Sequence, residues 1–181
     1  MIKEIIMPRM ENKNKNLLNS GTLKQSTSSE KFEKFTIDNS TFDLKRVDFN
    51  FVKKSLTPII FDTNFLFVTF EFRLDIIFQL ENLVGKNYNL FIYEGTIEEL
   101  KAVERKGDKN KKFLPLIVKM LNIYNFKIIK SDIAYIDEQI LSNVDDNVII
   151  ATNDKELRQK LQKKYCQKVM YMRQKSYLEI A

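Results

Sequence analysis

The side chains able to do chemistry in this sequence are oxygen acids. No histidine and a single cysteine, Cys166, occur among its 181 residues. That removes histidine general bases, Ser-His-Asp and Cys-His nucleophilic arrangements, histidine-ligated zinc, multi-cysteine zinc sites and any intramolecular disulfide. Carboxylates, lysines, hydroxyls and hard metals remain. Two apolar runs that read as strands end in aspartates, Asp62 in IIFDTN and Asp154 in ATND. Glu99 lies in the first turns of the helix expected after the second run (GTIEEL), and Asp137-Glu138 opens the helix expected after the third (YIDEQIL). Taken singly, each acid is as readily a helix cap or a complement to a helix dipole. Gathered at one rim, four carboxylates would repel one another and raise one another's pKa unless a cation neutralised them. Oxygen-only ligands suit Mg²⁺ or Mn²⁺, one or two ions that share their remaining positions with water and substrate phosphate. Phosphodiester hydrolysis is the matching reaction, with carboxylates holding metal and an activated water attacking in line.

The elements that must position these acids are legible from Pro58 onward. Short apolar runs (Ile59 to Phe61, Leu90 to Tyr93, Phe126 to Ile129, Val148 to Ala151, Val169 to Met172) alternate with segments whose apolar residues recur at three and four. Those segments include Leu74, Ile77 and Leu80; Ile97, Leu100 and Val103; Leu116, Ile117 and Met120; Ile136 and Ile140; and Leu157 and Leu161. This alternation predicts βαβ units: an α/β fold, a three-layer α/β/α sandwich around a parallel sheet of about five strands, with ligands at the carboxyl ends of the strands. The expected domain spans 56–181, after a polar, largely flexible N-terminal extension, 1–55. Within the extension, Glu11 to Glu33 is rich in Asn, Lys and Ser without periodicity and reads as a flexible arm. The spaced apolar residues from Phe35 to Val52 read as a segment that docks on the domain or on a partner.

Thirty Lys and Arg against 24 Asp and Glu give a formal charge of +6 and a pI near 9.2, a balance that favours a polyanionic partner. Seven basic residues and no acid fall between Leu157 and Lys175: Arg158, Lys160, Lys163, Lys164, Lys168, Arg173 and Lys175. Arg105, Lys106, Lys109, Lys111 and Lys112 form a second cluster after the Glu99 helix. Both clusters are expected to flank the acids and steer RNA phosphate, the alternative for each being a solvated helix face. Tyr165 and Tyr177 are candidates for base stacking, and Tyr171 for the core. The four glycines, Gly21, Gly85, Gly95 and Gly107, form no phosphate-cradling loop, which removes dinucleotide and P-loop binding. No run is long enough to span a membrane, and the expected location is intracellular: cytoplasmic, or nucleolar in a eukaryote.

IIFDTNFL, TIEEL, DEQIL and ATNDKEL, in that order, resemble the PIN-domain nucleases, over about Leu56 to Ala181. The resemblance is closest to archaeal members and the eukaryotic branch working in small-subunit ribosomal RNA processing, and more distant to VapC-type toxin ribonucleases. It implies a five-stranded parallel α/β/α fold, Mg²⁺ or Mn²⁺ dependence and endonucleolytic cutting of RNA. Carried over, Asp62, Glu99 and Asp154 are the catalytic metal ligands, with Asn64 and Thr152 as polar supports. The family usually has Asp where Glu138 aligns; Glu138 is taken as the third acid, with Asp137 as its alternate. Asp145-Asp146 resembles the family's acidic pair in letters, but the fourth strand follows it at once. Partners implied are rRNA or pre-rRNA, ribosome-assembly proteins or an antitoxin, and a second copy in a homodimer. Asp62-Thr63-Asn64 also resembles the start of haloacid-dehalogenase phosphatases, yet Asn64 stands where their second aspartate is expected. The rival from another class is a non-catalytic PIN scaffold binding RNA or protein in a ribosome-assembly particle.

Overall fold

Strand β3 (Pro58–Phe61) runs through the middle of the molecule, with all four residues buried. Proline is tolerated there because it is the first residue of the strand. In a computed structural model, which describes residues 31–131, 133 and 135–181, β3 lies between β4 (Asn89–Tyr93) and β6 (Ile149–Ala151), parallel to both. Beyond them, β5 (Lys127–Ile129) pairs with β4 and β7 (Val169–Arg173) pairs with β6, again parallel. These are the five strands expected from the apolar runs. Both of their faces are buried, as continuous Val, Ile and Phe runs require.

The sheet is wider than expected. Among the described residues it has eight strands in the order β1-β2-β5-β4-β3-β6-β7-β8. Strand β2 (Ser40–Val47) adds in parallel to β5, while β1 (Phe32–Ile37) and β8 (Tyr177–Ile180) close the two edges antiparallel. Strands β1 and β2 alternate buried and exposed residues, and Phe35, Ile37, Phe42 and Leu44 join the main core. Their two-residue turn, Asp38-Asn39, has φ of 50° and 60°. That left-handed pair matches the twist of a hairpin and is tolerated by Asp and Asn. The segment from Phe35 to Val52 therefore docks as a hairpin followed by α1 (Phe49–Lys53). Of the extension expected over 1–55, residues 32–53 belong to the sheet and to α1; residues 1–30, which hold most of the expected arm, lie outside the described residues.

Two helical layers cover the sheet. Helices α2 (Thr63–Glu71), α3 (Ile76–Val84), α4 (Glu94–Lys106) and α5 (Leu114–Ile123) bury their apolar sides against Ile59, Phe61, Leu90, Ile92 and Ile128. Phe61 anchors that layer by edge-on contacts with Phe65 and Phe126, ring centroids 5.1 and 5.2 Å away, each worth about 0.5–1.5 kcal/mol beyond the area buried. On the other face, α1, α6 (Ile136–Ser142) and α7 (Lys155–Tyr165) pack on Ile60, Phe91, Tyr93, Ile129 and Ile150. Helices α2, α4 and α7 follow their strands directly, so their N-termini share the carboxyl edge. Gly95 lets α4 come close to α6: a Cβ at that position would stand 3.0 Å from Ile136 Cγ1.

Candidate active site

Asp62 follows the last residue of β3 and is 5 % exposed. It occupies the N-cap position of α2, yet its side chain makes no capping hydrogen bond. Its Oδ2 instead accepts a 2.8 Å hydrogen bond from Thr152 Oγ1, at the end of β6. The same hydroxyl oxygen accepts the backbone N–H of Asp154 at 3.1 Å, so one threonine ties the two expected ligand loops together. Asp154 does cap its helix, Oδ1 accepting from Leu157 N at 2.8 Å. Between them, Asn153 Oδ1 takes the N–H of Met172 at 2.7 Å and fixes the loop to β7.

Burial pushes the Asp62 carboxyl up to about 7; the Thr152 bond and the Thr63 backbone hold it back, and the charges of Asp137 and Glu99 raise it further. Glu99 and Asp137 keep much of their surface in water. Even so, desolvation by the rim is the largest influence on each and raises both. For Glu99 the nearby Thr63 hydroxyl offsets part of this and Asp137 adds to it; for Asp137, Asp154 adds and Lys160 subtracts. Carboxylates from β3, α4, α6 and the N-cap of α7 thus act on one another electrostatically. Of the adjacent pair, Asp137 is the acid felt by Asp62 and Glu99; Glu138 is exposed on the same helical turn.

The remaining expected residues fall elsewhere. Asp145 and Asp146 precede β6 and so lie at the amino edge, where the buried Gln167 clasps the loop: its Oε1 accepts from Asp145 N at 3.0 Å, and its Nε2 donates to the carbonyls of Asp145, at 3.0 Å, and Val148. Asn64 is exposed. The two basic clusters separate. Lys160 is near enough to Asp137 to stabilise its charge, and it lines a shallow surface cavity with Glu156, Gln159 and Lys163. Arg158 stacks on Tyr171, 4.2 Å from the ring centroid, and Lys164 lies over Tyr165. Arg173 is paired with Glu179 at 2.6 Å, and Lys175 sits over Phe72. Arg105 and Lys106 occupy the last turn of α4, about 9–10 Å along the axis from Glu99, beside Glu104, which accepts the Asp38 N–H of the hairpin turn. Lys109, Lys111 and Lys112 belong to a 3₁₀ turn (Lys109–Phe113), and Lys112 covers Phe113.

Sequence reasoning passed over two hydroxyls. Thr63 and Thr96 are buried; the Thr63 hydroxyl lies against Glu99, while Thr96 Oγ1 has no hydrogen-bond partner. Each stands beside an expected acid, in DTN and GTIEEL, and that adjacency was the available signal. Among the described residues, no three acidic side chains converge into a closed ligand set as they stand. The donor chemistry nonetheless fits a hard divalent ion: oxygen atoms alone, one carboxyl buried almost out of water, and an unpartnered hydroxyl on Thr96 in the first turn of α4.

The chain belongs to the PIN like domain family, which matches residues 59–175. Ribonuclease VapC4 of Methanocaldococcus jannaschii is 35% identical over 125 residues, which is 67% of this chain and 95% of that protein. The solved structure of the PIN domain endonuclease Utp24 shares the fold at a TM-score of 0.56 and 19% identity, over 68% of this chain and 90% of that one. Among the described residues, no helix is long and apolar enough to cross a membrane.

Proposed function

We propose that this protein is a metal-dependent endoribonuclease whose active site is the carboxyl edge of the sheet, with Asp62, Glu99, Asp137 and Asp154 as metal ligands. The observation that carries the reading is Asp62, a carboxyl whose burial at the strand end pushes its pKa up to about 7, with the charges of Asp137 and Glu99 raising it further. Such a group destabilises the fold when ionised unless a cation meets it. We take Asp137 rather than Glu138 as the third acid because it is the one coupled to the others. Mg²⁺ or Mn²⁺ bound there supplies charge neutralisation at the scissile phosphate and a water acidified for attack. The protein's part is positioning. Thr152 orients Asp62, the α7 cap fixes Asp154, and Gly95 sets the approach of the Glu99 and Asp137 helices. Lys160 adds positive charge beside the acids, where it can draw phosphate toward them.

The identity to a protein named a ribonuclease supports RNA as the substrate. A structured RNA incubated with Mn²⁺ should be cut internally, chelation should stop the cutting, and Asp62→Asn should lower the rate at least about 10³-fold without weakening RNA binding. Equal cleavage by mutant and parent would refute the site. Binding with no cleavage by the parent would favour the scaffold. Maturation of ribosomal RNA, with ribosome-assembly partners, is the setting proposed for the activity. A toxin paired with an antitoxin is the second reading, which the relative named VapC4 favours. Mapping the cut RNA in cells separates them: a processing enzyme leaves one precursor uncut when it is depleted, whereas a toxin arrests growth when overproduced.

A further inference from the structure

The β1–β2 hairpin grips helix α4 at both ends. At its start, Arg46, the next-to-last residue of β2, sends Nη2 to Oε1 of Glu94 at 2.5 Å and also contacts the Glu33 carboxylate of β1. Glu94 is the first residue of α4. The three side chains are 27 to 40% exposed, and Nη2 of the guanidinium reaches both carboxylates. At the other end, the backbone N–H of Asp38, in the hairpin turn, donates to Glu104 Oε1 at 3.0 Å. Glu99 lies midway between the two grips. One residue past Glu94, Gly95 sets the closest approach of α4 to Ile136, the neighbour of Asp137. A small roll or slide of α4 therefore changes the relation between Glu99 and Asp137.

We infer that the hairpin is a positioning clamp for the second acid, with Arg46 as its principal residue; the inference rests on the metal site proposed above. Glu33, Asp38 and Arg46 all precede residue 59, where the family match begins, so the clamp lies outside the matched part of the chain. The side-chain partners of Arg46 are Glu33 and Glu94 rather than the site acids, and its effect passes through α4. Supports of this kind typically change metal affinity about 10–100-fold when lost.

The test is Mn²⁺ binding to the full chain, measured by calorimetry, beside the Mn²⁺ dependence of cleavage. Arg46→Met should weaken Mn²⁺ binding and raise its half-saturating concentration by about tenfold, the lower end of that range. The rate at saturating Mn²⁺ should stay within about twofold, a split that a general loss of folded protein does not give. Arg46→Lys should fall between, and adding Glu94→Gln to Arg46→Met should cost nothing further, since the two act through one contact. If Arg46→Met does not fold, Arg46→Lys and Glu94→Gln carry the same measurement. Metal titrations superimposable on the parent's overturn the clamp. Glu99→Gln separates the two levels: unchanged Mn²⁺ binding there defeats the metal site itself, whereas weakened binding by Glu99→Gln beside normal Arg46 and Glu94 variants defeats the clamp alone.

Discussion

At the amino edge of the sheet Gln167 is 2% exposed, and both polar atoms of its amide are bonded to the loop that feeds β6. Nearby, Lys53 and Asp145 pair across 3.6 Å. At the carboxyl edge Asp62 is buried almost as deeply, at 5%, but keeps one hydroxyl as its side-chain partner and faces other acids. Thr96 leaves a buried oxygen unpartnered. A protein hides a polar side chain at low cost when every donor and acceptor is matched, and at several kcal/mol when a charge is not. The edge tied up internally is satisfied by the chain itself; the edge left unmatched is the one proposed to meet a cation.

The largest effect expected from this contrast is on stability against pH. The folded pKa of Asp62, about 7, lies above its ordinary value of 3.8, so the folded state binds more protons than the unfolded state between those values. Metal-free protein should be most stable below about pH 4 as far as this group is concerned, lose stability as pH rises toward 7, and carry the full penalty above that. Asp62→Asn removes the charge and should stabilise metal-free protein at pH 8 by as much as about 4 kcal/mol, with little change at pH 4. Urea unfolding at the two values checks this, and Mn²⁺ should stabilise the parent and not the variant. A variant no more stable than the parent at pH 8 would remove the frustration from Asp62. Next in size, Asp137→Asn should lower cleavage at least about 100-fold, near 3 kcal/mol in the barrier, whereas Glu138→Gln should stay within threefold. The reverse order would return the third position to Glu138.

Each element announces itself in the sequence only as far as its burial leaves a periodic signal. The five inner strands were legible because both faces are buried, which leaves uninterrupted apolar runs such as Pro58–Phe61. The edge hairpin was not, since Phe35, Ile37, Phe42 and Leu44 alternate with polar residues in a stretch that also follows a polar arm. Helix α2 hid in FLFVTFEF, where nearly every position is apolar and neither period stands out. Asp62 and Asp154 were placed by the rule that ligands gather at strand ends. That Asp154 caps its helix and Asp62 does not depends on Thr152 reaching across from β6. The sequence leaves Asp137 and Glu138 open for the same reason. Neighbours on a helix point about 100° apart, so the packing of α6, which the sequence does not fix, decides which of them faces the other acids.

The amino edge makes a complementary prediction of intermediate size. Gln167→Leu keeps the volume and strands the N–H of Asp145 and the carbonyls of Asp145 and Val148. Burying such groups unpaired should cost about 2–3 kcal/mol, seen as a lower urea midpoint with an unchanged slope. The Mn²⁺ dependence of cleavage should not move, because the loop lies at the opposite end of β6 from Asp154. A shifted metal curve would mean that the two edges are coupled.

The smallest effect concerns the basic clusters, which share a sign of charge but not a location. Lys160 stabilises the charge on Asp137, so a phosphate at the acids would feel it; Lys106 ends α4, beside the hairpin turn. A Debye length of about 8 Å at physiological ionic strength screens Lys106 from a phosphate held near Glu99. Lys160→Ala should weaken RNA binding severalfold and flatten the salt dependence by close to one counterion, while Lys106→Ala should leave both within twofold. Equal losses from the two substitutions would mean that RNA lies along α4 as well, and that the contrast between the edges concerns the metal ligands without extending to the path of the substrate.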